Sequence, residues 1–186
     1  MNRLHLEYCS GPEWGELVRN SIIPWVTSGI ELGDHLIEVG PGPGLTTDVL
    51  RERVRHVTAV EVDPDLASAL EARLDGANVT VRHADATSLP FEDDAFDVAI
   101  CLTMLHHVPE PEQQDRLIAE MARVVRPGGY VLGTDSLDSP EFRQGHIDDV
   151  CVPIDPDELA PRLATVGVEG VEIETNPYAF RFRIRV

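Results

Sequence analysis

The sequence predicts an α/β doubly wound fold, a mostly parallel sheet with helices on both faces. Three observations lead there. Short β-rich apolar runs alternate with segments of helical spacing. The first of these runs leads straight into Gly40, Gly42 and Gly44, in LIEVGPGPGLTTDVL. The next two β-rich units are closed by acids, Glu61 and Asp85. At 186 residues the chain is expected to form one domain (1–186), large enough to bury a core without disulfide or metal staples.

Residues 1–34 are expected to form a helical cap. Trp14, Leu17, Val18, Ile22 and Trp25 fall near one helical face, and Pro24 interrupts or restarts the helix. That face either packs into the core or, with Tyr8 just before it, forms a lid. The strands expected next are His35–Val39, His56–Glu61, Val79–His83, Phe96–Cys101 and Tyr130–Thr134. A helix should begin near Thr46. Another carries Leu117, Ile118, Met121, Val124 and Val125 at helical spacing, and Arg126-Pro127-Gly128-Gly129 should end it and reverse the chain. Two closing strands, Val171–Thr175 and Ala179–Val186, flank the turn signal Asn176-Pro177. The last alternates Phe180, Phe182, Ile184 and Val186 with Arg181, Arg183 and Arg185; its cations either pair with acidic neighbours or meet an anionic partner.

Ligands of doubly wound sheets sit beyond the carboxyl ends of the strands, which directs attention to the glycine loop. Its bare backbone allows close approach, and the helix start behind it offers unpaired amides. The spacing is G-x-G-x-G, preceded by Glu38; the dinucleotide fingerprint G-x-G-x-x-G would need glycine where Leu45 stands. Glu61 lies 21 residues past Gly40, where a carboxylate can accept from two ribose hydroxyls. Asp85 could accept from an adenine amino group while the Ala86 amide meets a ring nitrogen. The bland alternative makes both acids helix caps or solvated charges.

These residues resemble a family. EVGPGPG at 38–44, VTAVEVDPDL at 57–66, DATSLPFEDDAFDVAICLTMLHHV at 85–108 and ARVVRPGGYVLGTD at 122–135 are similar, in order and spacing, to the small class I S-adenosylmethionine-dependent methyltransferases. The resemblance implies a Rossmann-like seven-stranded sheet with an antiparallel last strand. It implies S-adenosyl-L-methionine as cofactor and S-adenosyl-L-homocysteine as product. It also implies a cofactor-binding set of Glu38, Gly40, Gly42, Gly44, Glu61, Asp85, Ala86 and Cys101, within a cofactor-binding half at 35–135. Residues 136–186 would be the substrate side, and the segment 136–154, with Asp138, Glu141, Arg143 and His146, would border a small, fairly open acceptor site. Of the adjacent His106 and His107, the resemblance places His106 nearer the cofactor, as the candidate for positioning an acceptor or taking its proton. A histidine that only shapes the loop is the alternative.

The acceptor is expected to be a small molecule. A net charge of −18 opposes a nucleic-acid partner. MNRLHLEYCS lacks the apolar core of a signal peptide and VAICLTML is too short to span a bilayer, so a soluble cytoplasmic protein without a membrane partner is expected. Cys9, Cys101 and Cys151 are widely spaced and suggest neither a disulfide framework nor a metal site. Two other functions fit parts of this pattern: an NAD-dependent or nucleotide-sugar enzyme, and a noncatalytic S-adenosylmethionine-binding partner of another protein.

Overall fold

The computed structural model describes residues 2–186. Seven strands form one sheet: β1 (His35–Val39), β2 (His56–Glu61), β3 (Val79–His83), β4 (Phe96–Leu102), β5 (Val125–Ser136), β6 (Glu172–Thr175) and β7 (Ala179–Arg185). Their spatial order is β3-β2-β1-β4-β5-β7-β6, with β3 to β5 parallel and β7 antiparallel to both β5 and β6. The chain winds outward from β1 to β3 and then crosses back to β4 on the other side of β1. A crevice therefore opens between the carboxyl ends of β1 and β4, the topological switch point where such sheets take ligands.

The helices are α1 (Arg3–Cys9), α2 (Pro12–Leu17), α3 (Ile23–Val26), α4 (Leu45–Leu50), α5 (Pro64–Arg73), α6 (Pro111–Val124), α7 (Pro140–Gly145) and α8 (Pro156–Thr165). Proline at the first helical position begins α2, α5, α6, α7 and α8, where a missing N–H costs nothing. Between α2 and α3 the chain widens into a π-helical turn, Val18–Ile22, which carries it past Pro24 without a break. One side of the sheet is covered by α6 and α8, whose Leu117, Ile118, Met121, Leu159 and Leu163 pack with Phe180 and Phe182. On the other side Val18, Ile23 and Val26 pack with Leu36, Ile100 and Leu132.

One detail differs from the sequence-based expectation. The helix α6 ends at Val124, and Val125 already pairs with Phe96 as the first residue of a long β5. A register shift between Phe96 and Val98 absorbs the Arg126–Gly129 stretch, and Gly128 and Gly129 exchange hydrogen bonds with Val186, so this segment extends the sheet and does not turn back. The cations of β7 take the acidic-neighbour alternative in part, since Arg181 pairs with Glu174 on β6, and they find a second intramolecular use. Arg181 donates to the Trp25 carbonyl and lies 5.3 Å over the Trp25 ring, while Arg183 donates to the carbonyls of Trp25 and Val26 at 3.3 and 3.1 Å. Both guanidiniums thus cap the carboxyl end of α3, whose last carbonyls have no helical partner, and tie the amino-terminal cap to the sheet edge.

Candidate active site

Two cavities open at the carboxyl ends of the strands. The first, of about 360 Å³, is bordered by Gly40 and Gly42 after β1, Glu61 to Asp63 after β2, Asp85 and Ala86 after β3, and Met104 and His107 after β4. The three loop glycines serve different needs. Gly40 and Gly42 line the cavity with φ of +67° and +54°, where side chains are disfavoured. A Cβ on Gly40 would also lie 2.8 Å from Met104 Cε, so this glycine makes room for the loop after β4. Gly44, at φ +87°, faces away, and a Cβ there would run into the side chains of Leu70 and Arg73 on α5.

Glu61 is buried and braces the loop. Its Oε2 accepts from the Gly42 amide and its Oε1 from the Asp63 amide, both at 3.0 Å. Each carboxylate oxygen keeps acceptor capacity toward the cavity it lines. Asp85 is exposed; its Oδ1 accepts from the Thr87 amide and hydroxyl at 2.8 Å, fixing the loop that presents Ala86. Two acceptor-rich acids and an apolar floor of Val39, Val60 and Leu117 give a pocket shaped for a polar ring system with hydroxyl and amino donors.

Two residues of the expected cofactor set lie behind this wall. Cys101 is fully buried in β4, and burial together with the Asp135 carboxylate pushes its thiol far above the ordinary range. Glu38 is buried beneath the loop, where its carboxyl accepts from the Thr46 hydroxyl and, at 2.6 Å, from the Thr47 hydroxyl. It anchors α4 to β1. Burial raises its pKa to about 7, outweighing the two hydroxyl donors. The folded chain thus holds this proton to higher pH than the unfolded chain. Its stabilising contribution is complete below pH about 4.5 and is lost as pH rises through about 7. Wild type should accordingly lose up to about 3 kcal/mol relative to Glu38→Gln between pH 5 and pH 8. Thermal melts of both proteins across that range would show it, and a difference independent of pH would contradict a titrating Glu38.

The second cavity is larger, about 940 Å³, and so exceeds the small acceptor site expected from the short flanking segments. Trp14, Leu17, Ile22 and Trp25 of the cap form one wall, with Phe142 and His146 on the α7 side and Tyr178 in the β6–β7 turn. Val18, by contrast, is fully buried core. Leu4, Tyr8 and Tyr178 are exposed and border the same cavity, so its rim is apolar and open to solvent.

The partition between the cavities is the segment Thr103–His107. Thr103 and His106 border the second cavity, Met104 and His107 the first. Thr103 adopts φ +53°, an unfavourable conformation for a β-branched residue, at the point where the chain leaves β4. The histidine that borders the glycine-loop cavity is thus His107, and His106 turns to the other side. His106 Nδ1 meets Asp135 Oδ1 at 2.6 Å, and its amide donates to Asp135 Oδ2 at 3.0 Å. Its Nε2 faces His146 Nε2 at 3.0 Å. His5 on α1 completes a group of four histidines, with one nitrogen from each within 4.8 Å of the others. Burial, then the nearby His146 and His106, lowers the His5 pKa to about 4. Burial, then His106, does the same to His107. Both rings are therefore neutral at pH 7. In the sequence only the His106-His107 pair is adjacent; α1, the β4 exit and the α7 end bring in the other two.

A seven-stranded sheet with an acid-lined cavity at its switch point defines a nucleoside-binding α/β protein. Residues 37–133, over half of the chain, match the family described as methyltransferase domain, and the chain belongs to that family of S-adenosylmethionine-dependent methyltransferases. Over 113 residues it is 34% identical to a ubiquinone biosynthesis O-methyltransferase of Pseudomonas fluorescens, covering 59% of this chain and 47% of that protein. Over 104 residues it is 33% identical to a phosphatidylethanolamine N-methyltransferase of Cereibacter sphaeroides, covering 54% and 49%. The chain spans about half the length of the curated relatives it matches. Among solved structures, a SAM-dependent methyltransferase from Aquifex aeolicus superposes with a TM-score of 0.76 at 19% identity, over 99% of this chain and 98% of that one. The likeness there is one of fold.

Proposed function

We propose that this chain transfers a methyl group from S-adenosylmethionine to a small acceptor with an apolar body. The observation that carries this reading is the pair of cavities that share the Thr103–His107 segment, whose successive residues line one or the other. The first has the acids suited to an adenosine. Glu61 accepts from the ribose hydroxyls, Asp85 from the adenine amino group, and Gly40 and Gly42 let the rest of the cofactor lie against backbone. S-adenosylmethionine supplies an activated methyl on a positively charged sulfur. His107, kept neutral by burial, adds no repelling charge at the partition. An apolar acceptor filling the second cavity would displace water from its walls, which favours a displacement between aligned groups.

The division into a cap (1–34), a cofactor half (35–135) and a substrate side (136–186) belongs to the same reading, since the second cavity takes most of its walls from the first and third of these segments and only Thr103, His106 and Thr134 from the second. Two relatives are named for methylation in ubiquinone biosynthesis and of phosphatidylethanolamine, and apolar bodies of that kind suit the exposed rim at Leu4, Tyr8 and Tyr178. His106 serves here as a positioning residue, because both of its ring nitrogens already face partners. Among the described residues no helix is long and apolar enough to cross a membrane.

The test is S-adenosylhomocysteine release with a panel of phenols, hydroxyquinones and amines, each offered with and without a long hydrocarbon tail. Turnover should favour the tailed members through KM. Turnover confined to tail-free polar acceptors would contradict the assignment of the second cavity.

A further inference from the structure

We propose that His5, His106, His107 and His146 bind one divalent transition-metal ion of the zinc class. The hydrogen bonds around the four rings carry the argument. A backbone carbonyl can only accept, so His107 Nδ1, 3.0 Å from the Val150 oxygen, carries a proton, as does His146 Nδ1, 2.7 Å from the Phe142 oxygen. His106 Nδ1 likewise donates to the buried Asp135 carboxylate. In neutral rings that leaves three Nε2 lone pairs. Those of His106 and His146 confront each other at 3.0 Å, and two lone pairs at that distance repel unless a positive centre joins them. His107 Nε2 is buried without a hydrogen-bond partner, and so is His5 Nδ1.

A shared proton would satisfy the His106–His146 contact and leave His107 Nε2 unmatched and His5 Nδ1 with the Asp149 carboxylate 3.8 Å away, beyond hydrogen-bond reach. A metal ion accounts for all four. Zinc–imidazole bonds of about 2.0–2.1 Å place neighbouring ligand nitrogens about 3.3 Å apart in a tetrahedron, close to the 3.0 Å seen for one pair and reachable by small ring movements within the 4.8 Å limit of the set. Imidazole sets select zinc, copper, nickel and iron over magnesium or calcium. The outer partners are those of a built site, since Asp135, Phe142 and Val150 each hold a ring by its second nitrogen and so fix its orientation. The Asn2 side chain caps α1 at the His5 amide and donates to the carbonyls of Gly145 and Ile147, locking the helix that carries His5 to the segment that carries His146.

The site itself stands independently of methyl transfer. If the methyl-transfer reading holds, the ion borders the acceptor cavity through His5, His106 and His146, and with its four positions taken by imidazole it fixes that wall of the cavity and binds no acceptor itself.

The experiment uses the full chain, stripped with EDTA and free of any affinity tag, without S-adenosylmethionine. Zinc chloride is titrated calorimetrically, and cobalt(II) chloride is followed by visible absorption. One ion per chain should bind, with the intense cobalt bands of a four-coordinate nitrogen set, and His5→Gln/His146→Gln should bind at least a hundredfold more weakly. Binding below half an ion per chain, or equal binding by the variant, overturns the proposal. Should the variant not fold, ¹⁵N spectra of the wild-type imidazoles decide: zinc must shift the Nε2 resonances of His106, His107 and His146, and unmoved resonances overturn it. Failure of the acceptor panel leaves these readouts untouched, so the two readings fail separately.

Discussion

Asp135→Ala is expected to lower the stability of the protein by about 3 kcal/mol, because it leaves buried donors without an acceptor at about 1–3 kcal/mol each. Asp135 is fully buried at the carboxyl end of β5 and accepts from three donors: His106 Nδ1, the His106 amide and the Ser136 amide. Alanine leaves all three without this partner, the two His106 donors at a buried position. For a chain of this size the melting temperature should fall by roughly 6–12 °C. Asp135→Asn retains an acceptor for His106 Nδ1 and should recover part of the loss. A melt of Asp135→Ala within about 2 °C of wild type would mean that the loop after β4 is held by packing alone.

Glu61→Gln is expected to weaken S-adenosylhomocysteine binding by roughly tenfold to a hundredfold, from the 1.5–3 kcal/mol typical of hydrogen bonds to a charged group. The change acts twice. It removes a charged acceptor from the cavity, and it places an amide N–H against one of the two backbone N–H groups, of Gly42 and Asp63, that the carboxylate now accepts. Affinity measured well below the melting temperature separates ligand recognition from loosening of the loop. Unchanged affinity in a folded variant would leave Glu61 a brace for the glycine loop and nothing more.

Much of this architecture was legible in the chain because strand periodicity is local. The bounds of β1, β2 and β3 agree with the sequence-based expectation, and the acids at the ends of β2 and β3 stand beside the same cavity. Long-range geometry was less readable. Gly44 looks like its neighbours in sequence, yet its bare backbone is required by Leu70 and Arg73, more than twenty residues away. Glu38 and Cys101 lie on strands that lead to the site, but both side chains are buried away from the cavity. Alternation along a strand cannot tell which face a later loop will cover. Asp135 carried a faint signal, as an acid closing the fifth β-rich run. The gathering of His5 and His146 around His106 and His107 carried none, because the four residues meet only after α1 and the segment following α7 fold over the strand ends. The size of the second cavity was hidden for the same reason, since its walls come from four separate stretches of chain.

The most direct measurement of the central claim is calorimetric titration of the chain with S-adenosylhomocysteine and, separately, with NAD. A ligand that prefers the native state also stabilises it by mass action, so the same samples should show a raised melting temperature. The account predicts one equivalent of S-adenosylhomocysteine bound, a melting temperature that climbs with its concentration, and no comparable response to NAD. Tighter binding of NAD, or no heat and no thermal shift with S-adenosylhomocysteine, would contradict the assignment of the glycine-loop cavity and with it the proposed reaction.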